Sequence, residues 1–139
     1  MKRKIMYLSF LVTALAAGCQ KQLPVTPDLQ GTFTGQFTRI RLNKNGKLDT
    51  AVANLQLNMQ ASAGYTITGD TSTIHAGSKG NYQFSASLVA FLDNTYSATA
   101  KSTKIHLAGT YSYSFNGVNF IIAGGTDSLG LLYNLKKVN

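Results

Sequence analysis

Apolar residues recur at every second position through most of this chain, and that period admits one class of fold. Leu55, Leu57 and Met59 alternate with Asn54, Gln56, Asn58 and Gln60; Tyr82, Phe84, Ala86 and Leu88 alternate with Asn81, Gln83, Ser85 and Ser87. Ile105, Leu107, Gly109, Tyr111, Tyr113 and Phe115 alternate with His106, Ala108, Thr110, Ser112 and Ser114, and Leu129, Leu131, Tyr133 and Leu135 mark a last strand from Leu129 to Lys137. Successive side chains of a strand point to opposite faces, so each segment predicts a half-buried strand with a neutral-polar outer face. Downstream of the N-terminal leader, no window carries an apolar stripe of helical period, and glutamate is absent, which removes the Glu–Lys pairs of surface helices. With turns at Gly, Asn and Asp, the count is about eight to ten short antiparallel strands. The expected fold is all-β, an up-and-down β-barrel or a barrel-like sandwich, one domain at this length.

Turn chemistry sharpens two hairpins. Asn116-Gly117 supplies the two φ > 0 residues of a type I′ turn, and a two-residue loop there sets Phe115 opposite Val118, Tyr113 opposite Phe120, Tyr111 opposite Ile122 and Gly109 opposite Gly124. Around Asn45-Gly46 a two-residue loop would set Phe37 opposite Asn54, on the wrong face. Shifting the register by one sets Phe37 opposite Leu55 and Phe33 opposite Met59, so a three- or five-residue loop or a β-bulge is expected.

The N-terminus reads as an address. Lys2, Arg3 and Lys4 precede an apolar run of 13 residues, Ile5–Ala17, short of the about 20 that span a bilayer but right for a signal peptide. Leu15-Ala16-Ala17-Gly18-Cys19 resembles the lipobox of bacterial lipoproteins, with Ala three positions before the only cysteine of the chain. The resemblance implies cleavage of residues 1–18, a diacylglycerol on Cys19 and, from Gln20 in place of Asp, the outer membrane, with the periplasmic face favoured. Maturation would leave 121 residues and a net charge of +5 in place of +8. Both prolines, Pro24 and Pro27, fall in residues 19–30, which read as a tether, leaving 31–139 as the β domain.

Alternation alone leaves the wet face open. A transmembrane barrel would turn the apolar face to lipid, but Val118–Gly124 is shorter than the about 9–11 residues of a spanning strand, and Trp is absent from the chain. The polar face is therefore expected outward.

The sequence offers little chemistry. Gly77-Ser78-Lys79-Gly80 lacks the spacing of a phosphate loop, and GxSxG and SxxK are missing. Asp28, Asp49, Asp70, Asp93 and Asp127 each lie near turn residues and are expected to bond local backbone amides. His75 and His106 lack ligand spacing and are expected to be exposed polar residues, with no metal site and no cofactor. The expectation is a protein that is not an enzyme. Two constellations stand out. Arg39 and Arg41 share the parity of Phe33 and Phe37 and, with Lys44 and Lys47, could meet an anionic group at a barrel rim, or simply form a solvated tip. Gly35, Gly69, Gly109 and Gly124 occupy apolar-parity positions. They either let strands bend at barrel corners or floor a pocket walled by Tyr111, Tyr113, Phe120 and Tyr133.

Taken together, the lipobox, Gly31-Thr32-Phe33-Thr34-Gly35, Leu107-Ala108-Gly109-Thr110-Tyr111-Ser112-Tyr113 with its Asn-Gly hairpin, and Tyr133-Asn134-Leu135-Lys136 resemble small lipocalin-like β-barrel lipoproteins of the Gram-negative envelope. Phe33 stands where lipocalins carry Trp, and Thr126-Asp127-Ser128 is similar to their Thr-Asp-Tyr loop. The resemblance implies the barrel architecture. Three functions are compatible with such a barrel. It could bind a small apolar or amphiphilic ligand in the lumen, oriented by Arg39 and Arg41. It could be a filled accessory subunit with an exposed apolar patch including Ile121 and Leu132. The third, disfavoured by a charge of +5, is inhibition of a hydrolase. Membrane contact would be through the anchor on Cys19; nucleic acid is disfavoured by the export signal and is not expected as a partner.

Overall fold

The computed structural model of the protein describes residues 27–97 and 103–138; the expected signal peptide 1–18, Cys19 and residues 20–26 of the expected tether lie outside them. Eight antiparallel strands follow in order: β1 (Gly31–Leu42), β2 (Leu48–Gln60), β3 (Gly64–Gly69), β4 (Lys79–Phe84), β5 (Leu88–Asp93), β6 (Gly109–Phe115), β7 (Asn119–Thr126) and β8 (Leu129–Val138). Each pairs with the next, and β8 returns to β1, so the sheet closes as an up-and-down barrel. Closure leaves no edge along the long strands.

The alternating apolar residues point inward. Phe33, Phe37, Leu57, Met59, Val89, Phe120, Ile122 and Tyr133 are fully buried, while their polar neighbours are exposed. Rings fill much of the interior. Phe33 lies 5.1 Å from Phe120 and 5.9 Å from Phe115, and Phe37 lies 4.7 Å from Tyr133. Such close-packed aromatic layers are the main source of stability in a barrel this narrow.

The barrel has two distinct ends. At the root, where β1 begins, Leu29 turns into the core and is 1% exposed. At the tip, the β1–β2 loop carries Lys44 and Lys47. Residues 70–78 and 103–108 cross the interior on the tip side, stitched by Ala76 N–H to the Ile105 carbonyl (2.8 Å) and Ile105 N–H to the Ile74 carbonyl (2.9 Å).

Several registers differ from expectation. The β6–β7 register is shifted by two from the expected one: Phe115 faces Phe120 and Tyr113 faces Ile122. The Asn116 side chain explains the difference, since its Oδ1 accepts from Val118 N–H (3.1 Å) and Asn119 N–H (2.7 Å) and so closes a wider turn. Tyr111 pairs with Val89 and Gly109 with Phe91, across β5. The first hairpin has the five-residue loop, 43–47, but Phe37 faces Ala53 and Phe33 faces Leu57. There Asn43 Oδ1 accepts from Asn45 and Lys47 N–H and sets the loop width. The segment expected to run through Leu88 is instead cut at 85–87, where Ser85 N–H and the Leu88 carbonyl close a turn at 2.8 Å, so Leu88 is exposed. The run beginning at Ile105 becomes a strand only at Gly109, whose φ of 95° breaks the extended backbone.

Candidate functional site

The residues singled out by sequence separate into two places. Arg39 is half-buried and its guanidinium donates to Asp49 at 3.0 Å, while Arg41, opposite Asp49 in the ladder, is exposed. Asp49 is thus a strand partner for arginine, where a turn role was expected. Tyr111, Phe120 and Tyr133 are buried, and Tyr113 is half-buried with its hydroxyl donating to the Ser85 carbonyl at 2.8 Å. Tyr113 packs on Phe120 at 5.8 Å and Tyr111 on Tyr133 at 6.1 Å. Tyr133 faces Phe37, next along β1 on the same face from Arg39, but Phe120 and Tyr113 lie toward the root, away from the arginines.

The four glycines have different reasons. A Cβ on Gly35 would sit 2.2 Å from the Asn134 carbonyl, and one on Gly69 2.7 Å from that of Asn54, so both let neighbouring backbone approach closely. On Gly124 a Cβ would fall 2.5 Å from the Tyr111 ring, which fills the gap the sequence left open. Only at Gly109, of these four, is the space empty.

That empty space belongs to a site the alternation did not reveal. An open cleft of about 430 Å³ is lined by Asn81, Tyr82, Gln83, Ala90, Phe91, Leu92, Gly109 and Thr110. A second of similar volume is lined by Ala61, Tyr82, Gln83 and Phe84, near the root. Tyr82 and Phe84 are half-buried with their rings stacked 6.3 Å apart. Their exposure follows from the β3–β4 ladder, which holds only Tyr65 with Gly80 and Thr66 with Lys79.

Two polar groups are interior: His75, expected at the surface, and Asp93, expected in a turn. His75 is fully buried between Phe37 (4.8 Å) and Tyr133 (5.7 Å). With the Nδ1 proton donated to the Ala76 carbonyl, Nε2 accepts from the Tyr133 hydroxyl at 3.0 Å. Burial pulls its pKa down to about 4, with the Ala76 bond opposing, so the ring is neutral. The sequence reading failed because His75 lies on a connection whose path into the barrel no periodicity announces. Asp93, also buried, caps its own turn through Thr95 N–H (2.7 Å) and binds His106 Nδ1 at 2.7 Å; His106 precedes β6 and does not lie on a strand. Burial pushes the Asp93 carboxyl up, but bonds from Thr95, His106 and Ser78 outweigh it and hold the pKa below the usual value. Ser78, Asp93 and His106 have aspartate in the middle, whereas nucleophile activation needs the imidazole between serine and carboxylate. The Ser78 hydroxyl also accepts Leu107 N–H at 3.1 Å, so the trio ties both tip-side connections to β5. Among the described residues, no three of His, Cys, Asp and Glu form a metal-binding group.

On the outer wall, Ile40, Val52, Ile121 and Leu132 are exposed on the adjacent strands β2, β1, β8 and β7. Thr38 sits between Val52 and Leu132 in the ladder, which makes the patch continuous. In comparison with known proteins, no family, no curated protein and no solved structure matches this chain.

Proposed function

We propose that this chain is a lipid-anchored outer-membrane lipoprotein, facing the periplasm, that acts through the outside of its barrel as an accessory or protein-binding subunit and not as an enzyme. The observation that carries this reading is the pairing of a ring-filled interior with the exposed Ile40, Val52, Ile121 and Leu132 patch on four adjacent strands. Apolar side chains gathered on an otherwise polar wall favour a partner surface. The lipobox-like Leu15–Cys19 supports anchoring, and the tether would let the barrel search an area near the membrane.

A second reading keeps the small amphiphilic ligand. It is favoured by the cleft of about 430 Å³ beside Gly109, which offers the Tyr82 and Phe91 rings together with Asn81 and Thr110. That volume is in the range of about 300–1,000 Å³ that small-molecule sites occupy. Photo-crosslinking in intact cells separates the two. A crosslinker at Leu132 should yield one discrete protein conjugate, lost on Ile121→Ser. Absence of any conjugate, with a mass excess on the native domain that denaturation removes, would overturn the accessory reading in favour of the ligand.

A further inference from the structure

The end of the first hairpin stands clear of the barrel. β8 follows β1 only as far as Arg41, opposite Leu129, and Leu42 N–H reaches the Ser128 carbonyl at 2.9 Å. On the other side, among the described residues, β2 has no ladder partner in β3 before Leu55. Residues 40–50 are consequently exposed on both phases of the alternation, with none of the core beneath them. The loop is nevertheless ordered. Asn43 N–H donates to the Lys47 carbonyl at 2.9 Å and Gly46 N–H to the Asn43 carbonyl at 3.0 Å, beside the bonds to the Asn43 side chain.

Leu42 and Leu48 face each other across the ladder on the outward phase, 44% and 68% exposed. Leu48 is the most exposed large apolar side chain among the described residues. Side chains directly opposite one another lie about 5 Å apart, so the two form one apolar knob. Cations surround it: Lys44 and Lys47 sit in the loop beyond and Arg41 beside it. Among the described residues none of these three has a carboxylate within 4.0 Å. Asp49 is taken by Arg39 at 3.0 Å, which leaves Asp127 of the neighbouring turn as the opposing charge. A convex apolar knob ringed by cations matches the boundary where acyl chains meet anionic headgroups, with lysine stems along the apolar layer and their ammonium groups among phosphates. Two leucines on a five-residue loop fall far short of the about 800 Å² per partner that a stable protein interface buries, whereas a lipid surface demands no matching shape.

We propose that the 41–48 end of the first hairpin docks on a lipid surface bearing anionic headgroups, with Leu42 and Leu48 inserted and Arg41, Lys44 and Lys47 on the phosphates. The contact uses neither the Ile121 and Leu132 wall nor a lipid on Cys19, so its failure leaves the accessory and anchoring proposals standing.

Vesicle co-sedimentation tests it on a form of the chain beginning at Gln20, which keeps all eight strands and the whole described core and has no cysteine to carry a lipid. This form should bind vesicles of equal parts phosphatidylcholine and phosphatidylglycerol, and should not bind vesicles of phosphatidylcholine alone. Leu48→Ser should weaken binding about tenfold with the charge unchanged, and Lys44→Gln about fivefold. Lys136→Gln, the same loss of charge at the root, should leave binding unchanged. All three residues are exposed, so the fold is retained in each variant. No binding to the anionic vesicles would overturn the proposal and leave the hairpin end to an acidic protein partner. Equal losses at Lys44 and Lys136, or none at Leu48, would overturn it by reducing the contact to the general attraction of a basic protein.

Discussion

The two halves of the barrel are held very differently. β1 pairs with β2 over twelve residues and with β8 over ten, whereas β3 meets β4 over two and β5 meets β6 over four. The long ladders are joined by the five-residue loop 43–47 and the tight turn at Asp127-Ser128. The short ladders border segments 70–78 and 103–108, which lie off the sheet and fold over its interior. The first half is a continuous wall with an apolar outer patch; the second is short, grooved and closed by side-chain networks around His75 and Asp93. Local opening follows ladder length and buried contacts, so the β3–β4 seam should be the first part of the barrel to yield.

Substitutions can break or sharpen that contrast. The largest effect is expected at Gly35, where any Cβ meets the Asn134 carbonyl of β8 at 2.2 Å. Gly35→Val should cost more than about 4 kcal/mol and prevent closure of the long wall, read as loss of a cooperative urea transition. Next, Phe37→Ala should cost about 3–5 kcal/mol, because the ring is fully buried against Tyr133 and His75, while Phe84→Ala on the grooved side should cost about 1 kcal/mol. Equal losses at the two sites would erase the distinction between the halves.

Acid should act through the connections. The buried His75 ring has its pKa lowered from 6.5 to about 4, so the unfolded chain binds the proton more readily. Its contribution is complete above pH 6.5 and is lost as the pH falls toward 4, amounting to about 3 kcal/mol. Asp93 works in the same direction at lower pH, since its native pKa is depressed. Thermal melts between pH 7 and 4 should show the decline, and His75→Leu should flatten the part above pH 4. A wild-type curve that is level over that range would refute the role given to His75. The smallest effect is expected on the outer patch: Leu132→Ser should change stability by no more than about 0.5 kcal/mol, checked by the urea midpoint.

Legibility in the sequence divides along the same line. The inward parity of β1, β2, β7 and β8 was readable because each side chain repeats the decision of its neighbour two residues away, and the strand count needed only turn residues. Register was harder. At Asn116-Gly117 the dipeptide points to a two-residue loop, and side-chain bonds to Asn116 shift the register by two. Inside and outside survived because an even slip preserves every face. In the other half the signal weakened: alternation ran through Ser85–Ser87 although the chain turns there, and nothing local told that His75 would enter the core. Of the candidate residues, the buried set of Tyr111, Phe120 and Tyr133 followed from parity. The cleft at Tyr82 and Phe84 did not, because its exposure reflects a strand that ends too soon on the neighbouring position.

The separation of root and tip gives the molecule a direction. Its N-terminal segment leaves at one end, beside Leu29, and Arg41, Lys44 and Lys47 crown the other, a full β1 away. Twelve residues at about 3.3 Å each make a mast of about 40 Å before strand tilt is allowed for. Were the chain held by its first residues, as proposed above, this mast would carry its positive cap outward from the mooring.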